Sequence, residues 1–400
     1  MKIVLITTGQ PSCNPRIVKE ADCLRNAGYD VTVVYSFFID WAQEKDKFLL
    51  KNVLWNYKMV GGNKEESHLL YFYTRLRFKI HRFLNSYFGS EFLFAERAQA
   101  RAFDELLNEA KKIKADWYIG HNLGALPIAV KAAKYNNAKA GFDFEDYHRG
   151  EGQDENTLKR IIYLESKYIP SLFYYSNASD LITHQTKLNH PYFTGKVLTL
   201  LNCFPLLQRP IFKEKVVNDC TLNLFWFSQT IGINRGIEIL IQALGIINNT
   251  SIHLTLAGRV DNDMMSYIKI NAGKMFPSIH FSGIIQPEKL PQFASQFDVG
   301  MAIELNEPYN RDICLTNKIF TYLLAGNAII LSKTAMQELF NEQYKIGESF
   351  SINNANELAE KITFYFDVKK LNEQKQYNYE LAKNTLNWDK ESQKLLEIIN

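Results

Sequence analysis

The chain has 400 residues, 46% of them hydrophobic and 22% charged, with a net charge of +3. At roughly 150 residues per domain this is material for two or three packed globular cores. Residues 1–200 carry 27 basic and 22 acidic side chains and the remainder 19 and 21, an excess too mild for a nucleic-acid binder but suited to an anionic substrate or surface on the first half.

The five cysteines are scattered, odd in number and without metal-ligand spacing, so a reduced, cytoplasmic chain is expected. No stretch approaches the roughly 20 apolar residues that a membrane helix needs. In a reduced compartment the Asn-x-Thr at Asn248 carries no glycosylation meaning.

Lys2 to Thr7 predicts a short buried strand rather than a signal peptide. A loop from Thr8 to Arg16 and a helix carrying Ile17, Val18, Ala21 and Leu24 follow, and Gly28 stops that helix. Asp30 to Tyr35 is the next strand. This opening predicts a doubly wound α/β domain. It lacks G-x-G-x-x-G, which disfavours a nicotinamide cofactor. Gly9 either lets the loop approach a ligand or simply makes a tight turn.

Residues 37–62 are irregular in pattern. From Leu69 to Phe88 aromatic and aliphatic residues interleave with Arg75, Arg77, Lys79 and Arg82. Such a segment either lies on anionic headgroups or packs its aromatics onto the domain. Glu91 to Lys112 predicts a continuing charged helix. Asp116 to His121 is a strand ending in histidine, and Ala138 to Phe142 is a strand delivering Asp143, Glu145, Asp146 and His148 to its carboxyl end. Ligands bind outside the carboxyl ends of strands in open α/β sheets, which makes His121 and the Asp143 cluster candidates. A satisfied structural histidine and helix-capping acids are the competing readings. Thr157 to Ser176 predicts a long helix, and Asp180–Thr183 and Val197–Leu201 predict strands. The proline-punctuated stretch from Leu206 to Asp219 reads as a domain boundary.

The β–loop–α cycle then restarts. Leu222–Phe227 is a strand, the loop Ser228–Gly236 contains Arg235, and Ile237–Ile247 is a helix. Further strands are expected at Ile252–Ala257, Ile279–Phe281, Val299–Ile303 and Ala328–Leu331. From Asn317 to Gly326, Ile319, Phe320, Leu323 and Leu324 recur at helical spacing, which places Asn317, Lys318 and Thr321 on the opposite side. Gly326 closes that helix. A helix N-terminus at the mouth of a parallel sheet holds phosphate, and Arg235 with Lys318 would bracket a diphosphate through charge-assisted hydrogen bonds.

Several motifs stand in one order along the chain: Asn14-Pro-Arg-Ile-Val-Lys-Glu-Ala21, His121 with Ala125-Leu-Pro127, Asp143-Phe-Glu-Asp-Tyr-His148, Asn202, Arg235-Gly236, Ser282-Gly283-Ile284, Asn317-Lys-Ile-Phe-Thr-Tyr-Leu-Leu-Ala-Gly326 and Trp388. Together they make the sequence resemble, nearly end to end, GT-B-fold glycosyltransferases of the family 4 (group 1) type. The resemblance implies an α/β fold of two Rossmann-like doubly wound domains facing a central cleft. Residues 1–204 would bind acceptor and residues 205–385 the nucleotide sugar, with a helix in 386–400 crossing back to the first domain.

It further implies transfer of a sugar from a nucleotide-diphosphate donor, as co-substrate, to a hydroxyl of a glycan or lipid-linked acceptor, with retention of configuration. No metal and no cofactor are expected. His121, Asp143 and Glu145 are the expected catalytic residues. Gly9, Arg235, Gly236, Ile284, Glu304, Thr316, Asn317, Lys318 and Thr321 are the expected donor-binding set. The expected setting is surface polysaccharide or glycoconjugate synthesis in the cytoplasm, at the inner face of the membrane if residues 71–88 make peripheral contact with anionic lipid.

Three positions depart from the family pattern. Thr321 and Ile313 stand where its two glutamates are usual, and Thr230 where an arginine precedes Arg235. Glu304 or Glu307 would then have to supply the ribose carboxylate. The departures motivate an alternative, a non-catalytic sugar-nucleotide-binding or assembly partner. A sugar-nucleotide epimerase is a weaker third reading, and a glycoside hydrolase is disfavoured because no carboxylate pair can be placed across one cleft.

Overall fold

The computed structural model describes residues 1–90 and 94–400. Residues Met1–Leu200 with Lys394–Asn400 form one compact unit and Leu201–Gln393 a second.

The first unit is built on a parallel sheet of β1 (Lys2–Thr7), β2 (Asp30–Ser36), β3 (Asn56–Val60), β4 (Trp117–His121), β5 (Lys139–Glu145), β6 (Tyr174–Asn177) and β7 (Lys196–Thr199), in the order β3-β2-β1-β4-β5-β6-β7. Ile3 to Ile6 of β1 are fully buried, as a central strand covered on both faces must be. The register sets Thr7 beside His121 and His121 beside Asp143, so the carboxyl ends of β1, β4 and β5 line up polar residues above an apolar core.

The second unit repeats the plan with β8 (Leu222–Ile231), β9 (Ile252–Val260), β10 (Ile279–Gly283), β11 (Val299–Ala302), β12 (Ala328–Ser332) and β13 (Gly347–Phe350), in the order β10-β9-β8-β11-β12-β13. In each sheet the strand order reverses beside the first strand, between β1 and β4 and between β8 and β11. Such reversals open the crevice where α/β sheets take ligands.

Several sequence expectations are corrected. The predicted strand at Asp180–Thr183 is the first turn of a helix, Asp180–Asn189, capped by the Ser179 hydroxyl on the Ile182 amide. The predicted helix Thr157–Ser176 ends at Tyr168; Pro170 follows in a single 3-10 turn, and Tyr174 to Asn177 become β6. The helix expected over 91–112 is two helices, Ala95–Gln99 and Phe103–Lys112, broken at Ala100–Ala102, while residues 91–93 lie outside the described residues. The irregular stretch 37–62 holds a helix, Asp40–Leu49, and β3.

Candidate functional site

In the second unit, Gly236 adopts the left-handed conformation (φ 80°) that ends the loop after β8 and starts the helix Ile237–Ile247. A Cβ there would meet Ile303 Cγ2 at 2.6 Å, so only glycine lets this loop close against the end of β11. The Arg311 guanidinium donates to the Asn234 carbonyl at 3.0 Å and ties the loop after β11 to the same place. Arg235 projects from this junction, exposed and without an ion-pair partner among the described residues.

The helix Asn317–Ala325 is seated by Tyr322, whose ring covers Gly300 of β11 and whose hydroxyl donates to the Phe225 carbonyl at 3.0 Å. Its N-terminus has no side-chain cap; Thr316 Oγ1 is buried and accepts or donates nothing among the described residues. Uncapped helix amides carry partial positive charge that an anion can satisfy. Asn317 is exposed, with its Oδ1 accepting from Asn202 Nδ2 at 2.7 Å.

Two expected donor residues meet each other. Lys318 Nζ lies 2.6 Å from Glu304 Oε1, both side chains largely buried, and the ammonium also sits 5.2 Å over the Trp226 ring. The expectation for Thr321 is corrected: it is fully buried, not on the solvent side, and its hydroxyl donates to the Asn317 carbonyl at 2.9 Å. A threonine inside a helix can satisfy its hydroxyl on the carbonyl one turn back, which lets it turn inward. Ile284 is exposed just past β10, the sheet's edge strand, two places from β8.

In the first unit the helix Pro15–Asn26 buries not only Ile17, Ala21 and Leu24 but also Arg16 and Glu20, one turn apart. The Arg16 guanidinium is bidentate on Asp143, with Nη2 donating to Oδ1 at 2.9 Å and Nε to Oδ2, and Nη1 donates to the Leu200 carbonyl at 2.7 Å. The Ser176 hydroxyl donates to Asp143 Oδ1 at 2.8 Å. His121 stands between carboxylates, Nε2 at 3.2 Å from Glu20 and Nδ1 at 3.5 Å from Asp143.

Burial opposes the imidazolium, but Glu20 and Asp143 outweigh it and push the His121 pKa up to about 10. Burial likewise opposes the Asp143 charge, and Arg16 and His121 hold it well below the usual carboxylate range. Two cations thus balance two anions in a closed tetrad. Glu20, His121 and Asp143 each present a possible ligand atom within 4.8 Å of the others, the proximity of metal ligands. Sequence reasoning missed Arg16 and Glu20; the signal was a charged pair four residues apart on the buried face of an amphipathic helix.

His121 and Asp143 are buried, whereas the residues after them line a cavity of about 330 Å³. Its wall includes Thr8, Asn122, Gly124, Glu145, Asp146 and His148. Asn122 takes a positive φ of 64° and bonds both Thr7 and Thr8, which fixes the β1–β4 crevice. Glu145 takes a φ of 57° beside a bulge in the β5–β6 pairing. Burial, then Asp146, raises its pKa to about 7 against the pull of Arg16. A carboxylate poised near neutrality in a cavity suits proton exchange with a hydroxyl. The ring of His148 faces Glu165, which burial would neutralise but which His148, His190 and Arg149 hold down at about 2. At Gly9 an added Cβ would meet nothing within 4 Å, so the loop there faces open space.

No protein-family model matches the chain, and no curated protein matches it in sequence. Solved structures do match it in shape over its whole length. Anabaena HepE in complex with UDP and glucose aligns at TM-score 0.69 and 15% identity, covering 100% of this chain and 99% of that one. The sucrose-phosphate synthase of Thermosynechococcus elongatus aligns at 0.68 and 12%, covering 100% and 98%. A variant of S. aureus TarM, solved with fondaparinux, alpha-GlcNAc-glycerol and UDP, aligns at 0.68 and 11%, covering 100% of both. At these identities the likeness establishes architecture: the chain has the GT-B fold, an α/β fold of two Rossmann-like units.

Proposed function

We propose that the chain is a glycosyltransferase that moves a sugar from a nucleotide-diphosphate donor to a hydroxyl of a glycan or lipid-linked acceptor, in surface polysaccharide or glycoconjugate synthesis. The observation that carries this reading is that the loops after the neighbouring strands β8 and β11 carry an exposed Arg235, without an ion-pair partner among the described residues, and the uncapped N-terminus of the helix Asn317–Ala325. Those groups suit a diphosphate, and UDP, alone or as UDP-glucose, is what the HepE structures hold. The bond from the anomeric carbon to the diphosphate oxygen breaks, and a bond to the acceptor oxygen forms as its proton leaves. Arg235, Lys318 and the helix amides stabilise charge developing on the leaving diphosphate. Glu145 receives the acceptor proton or orients its hydroxyl. Retention of configuration, without a metal, is the reading that the sequence resemblance supports.

A second reading, a sugar-nucleotide-binding partner without turnover, is favoured by Thr321, which is buried and hydrogen-bonded where the family pattern has a carboxylate. The readings separate in an assay of nucleoside diphosphate released from uridine-, guanosine- and adenosine-diphosphate sugars with soluble glycan acceptors. Release that needs Arg235 supports transfer. Binding without release from any donor supports the partner, and absence of binding overturns both. Product analysis without acceptor exposes an epimerase.

A further inference from the structure

The helix His68–Phe88 carries an apolar stripe that faces away from its own unit. Leu69, Phe72, Leu76, Ile80, Phe83 and Tyr87 are 47–77% exposed. At 3.6 residues per turn they fall on one line along the helix, while Tyr71, Thr74 and Asn85 on the other side are buried. Solitary exposed apolar residues are ordinary, but a continuous stripe of six on five turns marks an interaction surface.

The charges beside the stripe have one sign. The 21-residue helix contains no Asp or Glu. Arg77 is the exception among its cations: it turns back to Asp104 at 3.0 Å and Glu105 at 2.5 Å, and so belongs to the unit's own packing. Of the four basic residues that the sequence offers to anionic headgroups, Arg77 is therefore engaged within its own unit. Arg75, Lys79 and Arg82 are exposed, have no ion-pair partner among the described residues, and by their spacing run along one flank of the stripe. Burial lowers the pKa of nearby Arg160 and Arg82 lowers it further, against the opposing pull of Asp154.

We propose that this helix docks the protein on an anionic lipid bilayer, lying in the interface with the stripe among acyl chains and Arg75, Lys79 and Arg82 on headgroup phosphates. A bilayer offers both chemistries at once along a flat front as long as the helix. Among the described residues no helix is long and apolar enough to cross a membrane. The inference stands apart from the proposed transfer reaction, since none of these residues lines the cavity or the Arg235 junction.

Co-sedimentation with vesicles of phosphatidylcholine alone, and of equal parts phosphatidylcholine and phosphatidylglycerol, tests it. The full chain is expected to pellet with the anionic vesicles and to be released by high salt. A variant with Arg75→Gln, Lys79→Gln and Arg82→Gln is expected to bind them about 100-fold more weakly. Leu76→Gln with Phe83→Gln is expected to lose binding while keeping the wild-type circular dichroism and melting temperature, because the buried side of the helix is untouched. Unchanged vesicle binding in either variant overturns the proposal. So does a dimer in solution that the Leu76→Gln, Phe83→Gln variant dissolves, which assigns the stripe to a second copy.

Discussion

Lys318 Nζ and Glu304 Oε1 stand 2.6 Å apart at the carboxyl edge of the second sheet. The cation expected to hold phosphate is thus neutralised by the carboxylate expected to reach ribose. Both expectations are met at once only if donor phosphate takes Lys318 and frees Glu304 for the ribose hydroxyls.

That exchange separates two probes. With Glu304→Gln, inorganic pyrophosphate has no carboxylate to displace and is expected to bind about 10-fold tighter, whereas UDP loses a ribose partner and gains less or weakens. Lys318→Met is expected to weaken both. Competition titrations with the two ligands check this, and equal gains for both in Glu304→Gln remove ribose from the role of Glu304.

Thr321 is expected to be a structural residue. Thr321→Val loses one hydrogen bond to the Asn317 carbonyl and should cost about 1 kcal/mol or less, with UDP affinity unchanged. Restoring the family's glutamate with Thr321→Glu buries a carboxylate at a fully enclosed position and should cost at least about 3 kcal/mol. Thermal melts of the two variants decide it; a stable Thr321→Glu protein with tighter UDP binding would contradict this placement.

The buried tetrad links stability to pH. The His121 pKa is raised from 6.5 to about 10 in the folded chain, so its contribution is complete below pH 6.5 and is lost as pH rises through 10. Asp143 is depressed, so its contribution is present above its ordinary 3.8 and is lost as pH falls below that. The melting temperature of the first unit should therefore fall between pH 7 and pH 10, and His121→Gln should flatten that fall. Asp143→Asn strands Arg16 and should cost about 3–5 kcal/mol.

Glu145 has the opposite linkage. Its folded pKa is raised from 4.5 to about 7, so holding it ionised costs stability that is absent below pH 4.5 and complete above pH 7. Glu145→Gln is expected to raise the melting temperature at pH 8 by about 2–4 °C, with little change at pH 4, and to abolish transfer. Gain of stability with loss of activity marks a group held in strain for its chemistry.

These residues also show how far the sequence could be read. The strand–helix alternation and the restart after residue 219 were legible because parallel strands are continuous apolar runs. Ile319, Phe320, Leu323 and Leu324 gave away the helix Asn317–Ala325 by their spacing. Periodicity says nothing about a polar residue that turns inward, and so Thr321 was placed on the wrong side. Arg16 and Glu20 share the buried face of their helix, one turn apart, but which partners satisfy them depends on strands over 100 residues away. The short apolar run at Asp180–Thr183 fits strand and helix alike, and the Ser179 cap decided it.

Calorimetric titration of UDP into the wild-type chain and Arg235→Ala tests most directly whether a diphosphate is held at the β8–β11 reversal. Wild-type binding that weakens by about 10-fold or more in Arg235→Ala is the expected result. Equal affinity in the two proteins would contradict it.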